Sequence, residues 1–445
     1  MMRLLKIFTI ALFLTTIVNT VAQTLNEQQK ISIINKALEL IKDNHVFPDK
    51  YNNIATAINK NLNQNIYTKY SDPQEFLNIL NNDLQVAGGD KHLKISFSPQ
   101  LVKQIRDERE EEKKGESQST LYYTPELLSW IKYQNFGLRK VERMGGNIGY
   151  FKFDQFIDLR LAKESIIGAM NFISNSSAII LDLRENGGGD AQASEFFLNY
   201  FLPDDTEIGK VKFRNQNKSK DVIIQNNPDI KKIPADIPLY ILVSRKTASA
   251  AEAVAYVLQQ FKRAIVIGDQ TSGKANPGEL FVVNDFLYMM VPTGSFTVKP
   301  TGTNWEGIGV TPDCKIDQAK ALTAGMIKIC NKLRTSDNNE EHKKEYKWLL
   351  FKYNSILNPT IPSSTFINSL TGNYQGNRKI ILENGLLFYI NNTLEERLLT
   401  YMGHQTFSLE ANDNVRLKFP DTFAPVNYFE FIWSDGTVEK INRIN

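Results

Sequence analysis

Residues 239 to 276 read LYILVSRKTASAAEAVAYVLQQFKRAIVIGDQTSGKAN, and this stretch decides the fold. Leu239 to Val243 is a short apolar, β-branched run, the signature of a buried strand, and Ala264 to Ile267 is a second one. Between them Ala251, Val254, Ala255 and Leu258 recur at helical spacing. Strand, helix and strand make a crossover unit of the kind that builds a parallel sheet. Parallel sheets carry their chemistry at the carboxyl ends of their strands. Ser249 stands in that position, at the turn into the helix, where the partial positive charge of a helix N-terminus lies behind it. As a nucleophile it would be well placed; as part of Ser-Ala-Ala-Glu it also fits a capping box that merely starts the helix.

Its company favours the chemical reading. Asp182 to Asp190 reads DLRENGGGD after the strand Ala178 to Leu181, and consecutive glycines leave backbone N–H groups able to converge on an anion. Gly187 or Gly188, with the N–H of Ala250, would form an oxyanion hole, in which one well-placed donor contributes roughly 3 kcal/mol in the transition state. Lys274 follows 25 positions after Ser249, in TSGKANPG. To act as a base it must lose its proton near neutral pH, far below its ordinary value of roughly 10.4, and that takes burial or nearby positive charge.

TASAAE with a lysine 25 positions on, preceded by DLRENGGGD and followed by NWEGIGVTPD, resembles the tail-specific (C-terminal-processing) serine protease family. Within that family the chain looks most like the branch of tricorn-like proteases and interphotoreceptor retinoid-binding proteins. The resemblance runs from about Leu25 to Ile316. It implies an α/β catalytic core of crotonase-like (ClpP-like) αββ type, with Ser249 as nucleophile and the glycine loop with Ala250 as oxyanion hole. It also brings in His92, in GGDKHLKI, which stands where the tricorn-like branch has a histidine base, and Glu306, where the same branch has a glutamate. A histidine near its unperturbed value of roughly 6.5 serves at neutral pH with little adjustment. Two positions depart from the pattern: Lys91 stands where the tricorn-like branch has serine, and Lys274 where the retinoid-binding branch has glycine. The base therefore stays open between His92 assisted by Glu306 and a Ser249–Lys274 dyad.

The rest of the chain divides around this core. Residues 1–22 read as a signal peptide, with Arg3 and Lys6 before the apolar run Ile7 to Val18 and small residues at Thr20 to Ala22, so the mature chain is expected outside the cytoplasm, periplasmic or secreted. Residues 23–100 read as a helical N-terminal domain, with Ile31, Ile34, Leu38 and Ile41 on one face and a start signal at Asp72-Pro73. Residues 101–145 contain the charge run RDEREEEKKGES, a solvated helix face or loop, and leave no room for a complete PDZ domain. The catalytic domain occupies 146–330, a helical linker 331–363, and a β-rich accessory domain 364–445, in which ENG at Glu383 and SDG at Ser434 mark hairpins. This last is a small antiparallel β domain with strands expected from about Phe366.

Composition narrows the partners. A net charge of +3 over 445 residues gives no case for nucleic acid, and His, Cys and carboxylates lack metal-ligand spacing, so no metal or organic cofactor is expected. Cys314 and Cys330 are the only cysteines, available to pair in an oxidising compartment. The expected function is an exported serine endopeptidase acting on proteins or peptides through an acyl-enzyme, with no membrane insertion after leader removal. The alternative is a lipid- or peptide-binding protein that keeps the fold without proteolysis; hydrolysis of another ester or amide would use the same residues.

Overall fold

A computed structural model describes residues 24–114, 123–214, 219–421 and 426–444. The expected leader at 1–22 lies outside them, as does the end of the charge run. The chain forms two compact units: one holds the residues up to Glu142 together with Gly149–Gln318, the other Arg143–Ile148 with Ala319–Asn445. Among the described residues no helix is long and apolar enough to cross a membrane.

The first unit is built on a six-stranded sheet, in the order Cys314–Lys315, Ile265–Gly268, Leu239–Val243, Ala178–Asp182, Ile148–Phe153, Leu138–Met144. The first four run parallel, with Leu181 beside Ile241 and Ile241 beside Val266. Every residue of Leu239–Val243 and of Ala178–Asp182 is buried. Parallel strands buried on both faces need helical cover, and an unbroken apolar run is how such a strand is written. Leu159–Ile173, Ala191–Leu198 and Ala250–Gln260 supply that cover, sharing one core in which Phe151, Phe153 and Phe197 pack with Ile241, Val254 and Leu258. The strand expected at Ala264 to Ile267 runs one residue later, Ile265–Gly268.

Two smaller sheets extend this unit. Gly294–Val298, Glu207–Phe213 and Lys220–Ile223 form one antiparallel sheet. Lys94–Phe97, Leu287–Pro292 and Gly278–Val282 form the other, and it positions the site. Its Ile95, Met289 and Val291 pack against the helices Glu27–Asn44, Lys50–Asn63 and Pro73–Gly88 through Ile34, Ile41, Ile54, Phe76 and Leu84. Ile31, expected on the buried face, is 37% exposed; the others of that set are buried. Pro73–Gly88 begins at Asp72, whose side chain accepts from the Glu75 N–H at 2.8 Å, and ends at Gly89 in the left-handed region (φ +55°). That reversal sends residues 90–93 directly into the strand Lys94–Phe97. Because Leu287–Pro292 pairs with both Lys94–Phe97 and Gly278–Val282, the loop before each outer strand is drawn to one end of the sheet. The charge run enters a helix, Pro99–Lys114, anchored by buried Leu101, Val102 and Ile105 against Leu280 and Tyr288.

In the second unit the helices Ala321–Ser336 and Glu340–Leu357 precede a closed barrel of eight antiparallel strands from Gly372–Tyr374 to Val438–Ile444, each paired with its neighbour in sequence. Strands do not begin at Phe366: Ser363 caps a short helix, Ser364–Leu370, and Phe366 packs on the barrel core from it. The Asn384-Gly385 turn has both φ values positive, as a two-residue hairpin requires, and pairs Glu383 with Leu386. Pairing of Asn373 with Ile444 closes the ring and removes the exposed edges an open sheet would carry. Tyr374, Leu417, Phe419 and Phe429 fill the barrel. Cys314 and Cys330 are both free thiols.

Phe429 is fully buried, with its ring centroid 5.0 Å from Tyr374 and 5.7 Å from Phe419. Phe429→Ala should destabilise the barrel by about 3 to 5 kcal/mol in urea unfolding, the cost of a large apolar cavity; a loss under about 1 kcal/mol would contradict this packing.

Candidate active site

Ser249 follows the strand Leu239–Val243 through a turn that is tied to the neighbouring strand's loop. Thr247 Oγ1 donates to the Leu183 carbonyl at 2.7 Å, and the Ala248 N–H to the Asn186 carbonyl at 3.1 Å. Ser249 itself has φ 54° and ψ −121°, a conformation that costs a non-glycine residue on the order of 1 to 3 kcal/mol. This is not the extended backbone of an ordinary N-cap, although Ser249 and Glu252 occupy capping-box positions at the start of Ala250–Gln260. The Ala250 N–H, first in the helix, has no acceptor among the described residues.

Glu252 does far more than cap. Its fully buried carboxylate accepts the Ser249 N–H at 2.8 Å, the Thr271 hydroxyl at 2.5 Å, the Gly273 N–H at 2.6 Å and the Lys274 N–H at 2.9 Å. Burial raises its pKa, and these donors oppose that rise. A sequence reading finds the Ser–Glu spacing but not the partners from the 271–274 loop.

The glycine loop lies against the same turn. A Cβ on Gly188 (φ +98°) would sit 2.7 Å from both the Ala248 oxygen and Ser249 Cβ, so only glycine fits there. The buried Asn186 holds the loop, donating from Nδ2 to the Phe153 carbonyl at 3.1 Å and accepting the Gly188 N–H at 2.9 Å on Oδ1. The Gly187 N–H is directed to the Asp154 carbonyl at 3.3 Å. Both glycine N–H groups named from sequence are therefore engaged, that of Gly188 within the loop and that of Gly187 with Asp154.

Lys274 is partly buried, and burial lowers its pKa, as do the charges of Lys94 and Lys91, against opposing pulls from Glu252 and Glu306. Both conditions a lysine base needs are thus present. Lys274 and His92 are close enough for the lysine charge to act on the imidazole. His92 is 8% exposed, and burial, then Lys274, push its pKa down to about 3. The expectation of a histidine near its unperturbed value does not hold: water is excluded and a cation stands beside the ring. Of the other histidines, His45 is buried between Glu27–Asn44 and the next helix, while His342 and His404 are exposed.

Beneath His92 lie two carboxyls. Asp90, fully buried, accepts the His92 N–H and the Asn276 amide at 2.9 Å each, and its Oδ1 is 4.0 Å from His92 Nδ1. Glu306 Oε2 accepts the N–H groups of Ala275 at 2.6 Å and Asn276 at 2.9 Å. Glu306 is no ordinary loop carboxylate: burial and the Asp90 charge hold its pKa up at about 7. Neighbouring Trp305 is buried and donates from Nε1 to the Lys274 carbonyl at 3.1 Å. Asp90, His92 and Glu306 offer atoms within 4.8 Å of one another, and both Asp90 oxygens and Glu306 Oε2 already accept N–H donors. Asp90 and Asn276 escape a sequence reading because their partners are remote in the chain.

The structure thus gathers Ser249, Lys274, His92, Glu306 and the glycine loop in one unit, with loop 271–276 held by Glu252 on one side and Glu306 on the other. The raised Glu306 value has a consequence for stability. Between its unfolded value of roughly 4.5 and about 7 the folded state holds a proton that the unfolded chain has released, so this group's contribution is fully present below the unfolded value and lost as pH rises through about 7. Glu306→Gln should flatten that part of the pH dependence of the urea midpoint; an unchanged slope would contradict the burial of this carboxyl.

Residues 147–316 match the family model described as peptidase family S41, and residues 6–134 match the model for the N-terminal domain of peptidase S41 in eukaryotic IRBP. Carboxyl-terminal-processing peptidase 1, chloroplastic, of Arabidopsis thaliana is 28% identical over 181 residues, 40% of this chain and 35% of that protein. A carboxyl-terminal-processing protease of Picosynechococcus sp. is 30% identical over 179 residues, 40% of this chain and 41% of that protein. A solved lipoprotein from Streptococcus agalactiae aligns with a TM-score of 0.45 and 18% identity, over 72% of this chain and 100% of that one. The chain spans about two fifths of the length of the curated relatives it matches. Along 6–134 and then 147–316 the chain is thus similar, in succession, to the N-terminal domain and the peptidase domain of family S41.

Proposed function

We propose that this chain is a serine endopeptidase that cleaves proteins or peptides through an acyl-enzyme on Ser249. The single observation that carries the reading is that Glu252 ties a strained serine at a helix N-terminus to the backbone of Lys274, which lies beside His92, two candidate bases whose protonated forms are disfavoured. His92 is the base in this scheme. With its pKa pushed down to about 3, it is neutral at working pH. His92 takes the Ser249 proton as Oγ attacks the peptide carbonyl. The imidazolium is held by the carboxylate 4.0 Å away and then delivers the proton to the leaving amine. Water hydrolyses the acyl-enzyme by the reverse transfer.

The Ala250 N–H is the ready oxyanion donor, and the Gly188 N–H the second once Asn186 Oδ1 yields it; Gly187 is less suited, being tied to Asp154. Lys274 supports a second reading, because it is partly buried and flanked by Lys91 and Lys94. The same proposal extends to a crotonase-like core for the parallel sheet with its strand–helix crossover, and to export directed by residues 1–22.

Peptide and casein cleavage by the purified chain tests this. Wild type should cut, and Ser249→Ala should lose at least about 10³-fold in kcat. His92→Ala should lose more than Lys274→Ala; the reverse order would make Lys274 the base. A folded wild type that cuts nothing would favour the alternative, a lipid- or peptide-binding protein on the same fold.

A further inference from the structure

Glu306 is the acid that a family resemblance brings to His92, but the structure puts a second carboxyl beside the ring as well. Asp90 Oδ1 lies 4.0 Å from His92 Nδ1, and the loop carrying both is pinned by the His92 N–H on that oxygen and the Asn276 amide on Oδ2. Both Asp90 oxygens therefore have donors. Glu306 is divided: Oε2 accepts two backbone N–H groups, while Oε1 is buried with no hydrogen-bond partner. Asp90 and Glu306 approach within 4.8 Å. Two buried carboxylates at that separation do not both ionise cheaply, so the pair titrates as a unit. An oxygen that no donor reaches is the one on which a proton costs least.

We propose that Asp90 is the positioning anion of the site, its ionised carboxylate facing the His92 ring, while Glu306 holds a proton on Oε1 and acts as the neutral partner of that anion. Lys50 from the helical region faces Asp90 and favours its ionised form, Lys274 faces both His92 and Glu306, and the Lys91 N–H opposes the rise that burial and Asp90 impose on Glu306. The titration near pH 7 that burial and Asp90 impose on Glu306 is consistent with this division. Asp90 touches no reacting atom here; it acts through His92.

This inference rests on the peptidase reading for its kinetic test, but not for its spectroscopic one. For folded variants, Glu306→Gln, which mimics the protonated acid, should lose less kcat near pH 6 than Asp90→Asn and should lose the wild-type inflection near pH 7. Asp90→Asn should lower kcat by about 10²-fold across the pH range with a smaller change in KM. Glu306→Gln falling as far as Asp90→Asn near pH 6 would overturn the assignment. Independently of turnover, the wild-type minus Glu306→Gln infrared difference should contain the carbonyl band of a protonated carboxyl at about pH 6 that vanishes as pH rises through about 7, over and above the band Glu195 gives in both proteins. A difference spectrum without that band would overturn it as well. A wild type that shows the band but cleaves no peptide would sink the peptidase reading and leave the carboxyl assignment standing.

Discussion

A single buried carboxylate ties the site together. Glu252 lies in the first turn of Ala250–Gln260, where the helix dipole favours an anion, and its two oxygens take four donors. One donor is the backbone of Ser249 itself; the other three come from the 271–274 loop. The serine turn and the Lys274 loop are thus fixed to the same group. Because removing it would strand four donors, two of them buried at a cost of roughly 1 to 3 kcal/mol each, the arrangement has little freedom to drift. The unfavourable backbone of Ser249 persists under that constraint, as strained residues do only where their surroundings over-determine them.

The larger architecture serves this junction. The parallel sheet presents the end of Leu239–Val243 beside the end of Ala178–Asp182, so the serine turn and the glycine loop are neighbours before any side chain is placed. The small antiparallel sheet then brings in material from the N-terminal helices. Lys94–Phe97 pairs with Leu287–Pro292, which pairs with Gly278–Val282, and the loops leading into the two outer strands carry His92 and Lys274. Asn276 links them, its side chain bonded to Asp90 and its N–H to Glu306. Two buried acids, Glu252 and Glu306, hold loop 271–276 between them.

The sequence was legible where its signal is local. The unbroken run LYILV, the glycine triplet and the helical spacing of Ala251 to Leu258 were enough to place the sheet, the crossover and Ser249, because burial on both faces and φ-positive turns each leave their mark on neighbouring residues. The barrel's hairpins were legible for the same reason at Asn384-Gly385, but its closure was not: the pairing of Asn373 with Ile444 is a long-range event with no local signature. Ser364–Leu370 was missed as a helix because it is only two turns long and sits against strand-like patterning. Glu252 could be read only as a cap, since its Thr271, Gly273 and Lys274 donors are distant in sequence. The basicity of His92 was illegible altogether, because it depends on burial and on the charge of Lys274, neither of which is a property of the loop GGDKH.

The central claim is that Ser249 is a nucleophile and not merely a cap. The most direct test is peptide mapping of the folded chain by mass spectrometry after reaction with a fluorophosphonate probe. A single covalent adduct on the peptide containing Ser249, absent from Ser249→Ala, is the predicted result. No adduct, or an adduct on another residue while Ser249 stays unmodified, would contradict the account.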